Sequence, residues 1–245
     1  MAWERVVPGD VPEHILAEHM ARYRFAAAYA FGKSVLDVAC GSGYGTRLLA
    51  ESGAKNVVGV DVAADAVAFG RRRFSHPQLD YLRADAARLP FPAASFGCAV
   101  CFETIEHLGD RRALLSELAR VLTPTGLLLL STPNRRIASP WWPLRRVPAN
   151  PHHHYEYTRD GLRREALPWF EIEEEWGQRF VAAPWRWLPV YTVIRLGARL
   201  LKSDVAFRLY DEASGAALEL GRARRGEPRY FLLVCRRRQD LTAPR

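Results

Sequence analysis

The 245-residue chain is most telling in what it is short of. No stretch approaches the roughly eighteen consecutive apolar residues of a membrane-crossing helix. The opening Met1-Ala2-Trp3-Glu4-Arg5 has no apolar signal core, so a cytoplasmic location is expected. Lysine is almost missing: Lys33, Lys55 and Lys202 are its only copies among 35 basic residues. The formal net charge of +8 invites a polyanionic partner. An arginine excess of this kind is what a GC-rich genome produces by itself, and no DNA- or RNA-binding module accompanies it. Nucleic acid is therefore not expected as a partner. Cysteine is scarce too. Cys98 and Cys101 form a CxxC, but on an apolar strand at 96–102, where alternation puts them on opposite faces. A redox pair would begin a helix, and a zinc site would need a second pair. All four cysteines read as small core residues.

What is present is a regular alternation. Apolar strands are expected at 34–39, 56–61, 79–84, 96–102 and 126–132, with helices at 45–53, 63–74 and 110–122 between them. Such a series pairs in parallel with right-handed crossovers. A helix at 10–31 precedes it, capped by Asp10, with Pro12 in its first turn. Its apolar stripe is Leu16, Met20, Tyr23, Ala27 and Ala30, and its polar side carries Glu18, His19 and Arg22. A further helix is expected at 158–167 with Thr158 as cap, then strands at 170–177 and 229–236. With 49% hydrophobic residues, the chain reads as one domain over 1–245. Two stretches, 133–157 and 181–228, fall outside the alternation and read as substrate-cap insertions. Residues 190–202 of the second are amphipathic and basic, which suits a cap helix on the end of the sheet. Weak membrane-surface association is the alternative, without stable insertion.

The most informative stretch is Val35-Leu36-Asp37-Val38-Ala39-Cys40-Gly41-Ser42-Gly43-Tyr44-Gly45. A β-branched run breaks into three glycines at alternate positions and resumes as a helix. Glycine permits positive φ and close ligand approach, and a helix N-terminus adds free N–H groups. A dinucleotide fingerprint spaces its glycines G-x-G-x-x-G; here the third comes one position early. Asp61 ends the next strand, twenty positions after Gly41, where a carboxylate can accept from ribose hydroxyls.

Leu36-Asp37-x-x-Cys40-Gly41-x-Gly43 followed by Gly59-Val60-Asp61 resembles the class I methyltransferases that use S-adenosylmethionine (SAM). The resemblance covers about residues 34–133. It implies a Rossmann-like, doubly wound α/β sheet of seven strands, five parallel plus a C-terminal antiparallel hairpin, with a helical cap insertion. It implies cofactor contacts from Tyr23, Asp37, Ala39, Gly41, Ser42, Gly43, Asp61, Val62, Asp85, Ala86 and Glu103. Tyr23 or Arg22 would meet the SAM carboxylate, and Asp85 with the Ala86 N–H would meet the adenine.

Glu103-Thr104-Ile105-Glu106-His107 resembles a segment of ubiquinone-biosynthesis O-methyltransferases, in which both carboxylates and the histidine can hold a divalent cation. It also resembles non-metal small-molecule methyltransferases, and no metal is assigned. Asn150-Pro151-His152-His153-His154-Tyr155-Glu156-Tyr157-Thr158 resembles an Asn-Pro-x-His-x-x-Glu-Tyr-Thr segment of glycan and natural-product enzymes, which singles out His153 and Glu156. Three adjacent histidines cannot all face one zinc ion. His153 and His107 are the catalytic expectations, since a neutral-range imidazole suits proton removal from a hydroxyl. Amino-methylating DNA enzymes carry an Asn/Asp-Pro-Pro-aromatic segment where this chain has Phe102-Glu103-Thr104-Ile105, so exocyclic-amine chemistry is disfavoured. The expected activity is SAM-dependent methylation of a small-molecule or glycan hydroxyl. Carbon methylation of a quinone-like or lipid acceptor, a non-catalytic SAM-binding protein and an NAD-dependent oxidoreductase are the alternatives.

Overall fold

The computed structural model describes residues 5–139, 147–181, 220–222 and 227–240. The expected cap helix at 190–202 lies outside them.

An eight-stranded sheet forms the centre, in the order β3-β2-β1-β4-β5-β8-β6-β7. The strands are β1 Ser34–Val38, β2 Asn56–Asp61, β3 Leu79–Arg83, β4 Phe96–Phe102, β5 Leu122–Pro133, β6 Phe170–Val181, β7 Leu220–Arg222 and β8 Glu227–Arg237. The first five run parallel, and β8 is antiparallel to both β5 and β6. The eighth strand corrects the expected seven. Short β7 pairs with Trp176–Gln178 on β6, which runs on past the expected residue 177 and so offers a longer edge. β5 likewise begins at Leu122 rather than at 126, since Leu122 pairs with Phe96 before the register shifts.

Helices α1 Glu13–Ala30, α2 Tyr44–Glu51, α3 Ala64–Arg73, α4 Arg111–Val121, α5 Arg135–Ala138 and α6 Arg159–Ala166 pack around it, with a 3-10 turn at Ile105–His107. Asp110 caps α4 through Ala113 N, and Thr158 caps α6 through Gly161 N. Apolar layers cover both sides of the sheet. Leu36, Val38, Cys101 and Leu130 face α4 residues Leu114 and Leu118. Val35, Cys98, Val100 and Leu129 share the other layer with Ala26 and Leu49. Cys98 and Cys101 thus lie on opposite faces as expected, and all four cysteines are buried and free. No helix among the described residues is long and apolar enough to cross a membrane.

α1 departs from expectation twice. It starts at Glu13 on Pro12 with no side-chain cap, while Asp10 closes a backbone turn on the Val7 carbonyl. It is also rolled: Glu18, Arg22, Tyr23, Ala26 and Ala30 are the buried residues. The supposed polar side faces inward because β6 and β8 supply partners. Glu18 pairs with Arg179, Arg22 donates to Gln178 Oε1 at 2.5 Å, and the Arg22 guanidinium lies 4.7 Å over the Tyr230 ring.

α1 meets α2 at a point where only glycine fits: a Cβ on Gly45 would overlap the Tyr23 ring. Gly45→Ala should destabilise the protein by about 1–3 kcal/mol through overpacking, at roughly 2–4 °C of Tm per kcal/mol. Thermal denaturation checks this, and an unchanged Tm would mean that Tyr23 is not seated there.

Candidate active site

A cavity of about 700 Å³ opens at the C-terminal edge of β1 to β4, where open α/β sheets bind ligands. Its volume is in the range of small-molecule sites.

One end is built by the glycine turn. Ala39, Gly41 and Gly43 all have positive φ, at 55°, 58° and 90°. The turn is closed by Gly43 N donating to the Cys40 carbonyl at 3.1 Å, and it is tied to β2 by Cys40 N donating to the Val60 carbonyl at 2.9 Å. The Asp61 carboxylate spans the gap between turn and helix: Oδ2 accepts from Gly41 N at 2.9 Å and Oδ1 from Ala63 N at 2.9 Å. Each oxygen keeps a second lone pair. Val62 is exposed at this end. Asp85 and Ala86 complete it, with Asp85 Oδ1 accepting from Ala87 N at 2.9 Å.

A strap crosses this end. Ser42 Oγ donates to the Val6 carbonyl at 2.7 Å, and Arg5 makes a two-pronged contact with Asp65 at the start of α3. Arg5 and Val6 line the cavity.

Ala39, Gly41, Ser42, Asp61, Val62, Asp85, Ala86, Glu103, Tyr23 and His107 all lie on the cavity wall. Asp37, Gly43 and His153 do not line it. Gly43 instead presents its carbonyl to the Tyr81 hydroxyl at 3.0 Å. Asp37 is fully buried and accepts from Thr46 Oγ1 at 2.7 Å and from the Tyr23 hydroxyl at 3.1 Å. It supports the wall from behind.

The other end lies beyond β4. Glu103 adopts φ 51°, a costly conformation for a residue with a Cβ. Its Oε1 accepts from Ser131 Oγ at 2.7 Å. Glu106 is buried, with Oε2 accepting from Thr132 Oγ1 at 2.9 Å. Burial, then the nearby Glu103 charge, push the Glu106 carboxyl well above the usual range. Its backbone carbonyl accepts from His154 N and Tyr155 N, at 2.8 and 3.1 Å. That pair of bonds pins the 150–157 segment across the cavity. His152 and His154 consequently line it.

Hydrogen bonds assign the histidine tautomers. Asn150 Oδ1 accepts from His152 N at 3.0 Å, so the other end of the amide, Nδ2, faces His153 Nε2 at 2.9 Å. An amide NH₂ only donates, so Nε2 accepts. Nδ1 of His153 then carries the proton and donates to Glu156 Oε1 at 2.8 Å. Both nitrogens of His153 are engaged. His107 Nδ1 lies 3.1 Å from the His152 carbonyl, which can only accept, so the His107 lone pair is on Nε2. The two imidazoles meet edge to face at 4.9 Å.

Sequence reasoning missed His19 as part of this wall, while Arg22, one of the residues expected at the cofactor carboxylate, is buried without lining it. His19, on α1, lines the cavity, and burial followed by the Arg22 charge hold its pKa well below the ordinary value. Arg22 is fully buried, and its Nε and Nη2 have no partner among the described residues. A buried cation with donors to spare suits an anionic group such as a cofactor carboxylate. Both residues lie on the expected polar side of α1, which the apolar stripe alone does not reveal as facing inward.

A parallel sheet with a glycine turn at its carboxyl edge and an acid ending the next strand defines an α/β protein that binds a nucleoside-bearing cofactor. A family model for a methyltransferase domain matches residues 36–130. The chain is 30% identical over 185 residues to a "Ubiquinone biosynthesis O-methyltransferase" of Xanthomonas oryzae pv. oryzae, covering 71% of this chain and 77% of that one. It is 39% identical over 160 residues to a "Probable S-adenosylmethionine-dependent methyltransferase" of Mycobacterium tuberculosis, covering 65% of this chain but only 56% of that relative's length. In three dimensions it resembles an S-adenosylmethionine-dependent methyltransferase from Mesorhizobium loti, with TM-score 0.60 at 20% identity over 90% of this chain and 98% of the other. The chain belongs to the class I SAM-dependent methyltransferases, and the family's cofactor is S-adenosylmethionine.

Burial drives the Asp37 carboxyl up to about 7, against the pull of the Thr46 and Tyr23 hydroxyls. The ordinary value is about 4, so the folded chain holds this proton more tightly than the unfolded one. The resulting stabilisation is complete below pH ~4 and is lost as the pH rises through about 7. Denaturant unfolding at pH 5 and pH 7.5 should therefore show a steeper loss of stability in wild type than in Asp37→Asn. Parallel behaviour of the two would contradict this ionisation.

Proposed function

We propose that this chain transfers a methyl group from S-adenosylmethionine to a hydroxyl of a small-molecule acceptor bearing a ring. The observation that carries the reading is His107: it lies on the cavity wall beyond β4, and its lone pair is set on Nε2 by the His152 carbonyl. The cofactor would supply an electrophilic sulfonium methyl. Asp61 would hold its ribose, Val62 and Asp85 its adenine, and Tyr23 with the glycine turn its amino-acid end. Arg22 has the unused donors to meet its carboxylate.

The protein has two tasks at the other end. It must hold the acceptor oxygen in line with the methyl, and it must take the hydroxyl proton as the oxygen–carbon bond forms and the sulfur–carbon bond breaks. His107 serves as the base. His153 positions it, because both its nitrogens are committed to Asn150 and Glu156. Tyr44, Phe102, His152 and His154 surround this end with rings, and Arg5, the one arginine on the wall among the described residues, belongs to the strap. Planar rings favour a phenolic or sugar ring over a charged acceptor. The name of the Xanthomonas relative supports oxygen as the atom methylated.

Two measurements test the reading. Turnover with a panel of phenols and sugars should fall by about 10²–10⁴-fold in His107→Ala, with affinity for S-adenosylhomocysteine intact; unchanged turnover would refute the base. Calorimetric titration of Asp61→Ala should show S-adenosylhomocysteine binding weakened about 10–100-fold, as expected for bonds to a charged group. Binding of NAD in place of S-adenosylhomocysteine would move the chain to another chemistry.

A further inference from the structure

We propose that Glu106, His107 and His153 form a binding site for a borderline-soft divalent cation of the Zn²⁺ type. One ligand atom from each lies within 4.8 Å of the others. The three come from two segments, the 3-10 turn after β4 and the 150–157 loop, and the Glu106 carbonyl fastens the second to the first. The cluster is therefore assembled in advance of any ion.

Three further features point to a ligand. Glu106 is buried, and its Oε1 has no partner among the described residues. A buried carboxylate oxygen left without a donor is costly, and a cation would satisfy it. His153 Nδ1 donates to Glu156, which is the carboxylate–histidine pairing that orients metal-binding imidazoles. It fixes Nε2 as the coordinating nitrogen, and the Asn150 amide N–H now stands against it at 2.9 Å, as a positive placeholder that an ion would displace. His107 is oriented the same way through a backbone carbonyl.

The donor set decides the ion. Two imidazoles and one carboxylate make the His₂Glu set of zinc sites. Magnesium and calcium prefer oxygen shells. The site also differs from the Glu103, Glu106 and His107 set implied by the sequence resemblance, since Glu103 lies outside the cluster and its Oε1 accepts from Ser131. His153 replaces it. An ion here would occupy the lone pair of the proposed base, so loading the site withdraws the group that takes the acceptor's proton.

The test is titration of the metal-stripped, untagged full chain with Co²⁺, read by visible absorption, and with Zn²⁺, read by calorimetry. One equivalent should bind. His153→Ala and Glu106→Gln should each weaken binding by more than ~10-fold, while Glu103→Gln leaves it nearly unchanged. Calorimetry with S-adenosylhomocysteine shows that each variant still folds. Absence of saturable binding, undiminished binding in His153→Ala, or loss in Glu103→Gln would each overturn the site. Because the readout is spectroscopic, it is separate from the catalytic reading on which the inhibitory consequence rests. Zn²⁺ should suppress turnover reversibly by chelation; binding without suppression would uphold the site and remove His107 as the base.

Discussion

The fold's organising interaction is a buried carboxylate with two hydroxyl partners. Asp37 sits one residue before the end of β1, and Tyr23 from α1 and Thr46 from α2 both donate to it. An uncompensated acid there would be prohibitive, so the two helices are held where the acid needs them. Their placement fixes the rest. Tyr23 lies against Gly45, which has no side chain to push it away, and its ring meets Phe102 at the end of β4 at 5.3 Å. The wall of the cavity is thereby set by a residue that does not line it.

The second end of the cavity depends on a different node, Glu106. Its carbonyl holds the 150–157 loop and its side chain holds Thr132 on β5. Three segments distant in sequence converge on one residue of a single 3-10 turn. This explains the division among the three adjacent histidines. Once His154 N and Tyr155 N are fastened, alternate side chains turn toward the cavity and His153 turns inward toward Glu156.

Much of this was legible in the sequence, and the reasons are physical. β2 and β4 have the bounds expected for them because continuous apolar runs end at residues that cannot extend them, Asp61 and Glu103. The pairing of the glycine turn with Asp61 was legible because β1 and β2 are adjacent and parallel, so equivalent ends coincide. The face of α1 was not, since the partners that bury Glu18 and Arg22 lie on β6 and β8, more than 150 positions away. Nor were the tautomers of His107 and His153; that of His153 turns on the orientation of one amide, Asn150, that no spacing rule encodes. β7 has three residues and no alternation to read.

The strap over the glycine turn is fastened differently from the loop at the other end of the cavity. Ser42 spends its hydroxyl on Val6, and the Arg5–Asp65 pair ties the strap to α3, with the Asp65 side chain 77% exposed. The two ends of the cavity are closed by separate pieces of chain, the strap at the glycine turn and the 150–157 segment at the histidines. The strap's outer fastening is an exposed ion pair, which salt screens, whereas the 150–157 segment is held by backbone hydrogen bonds to the Glu106 carbonyl, which salt leaves alone.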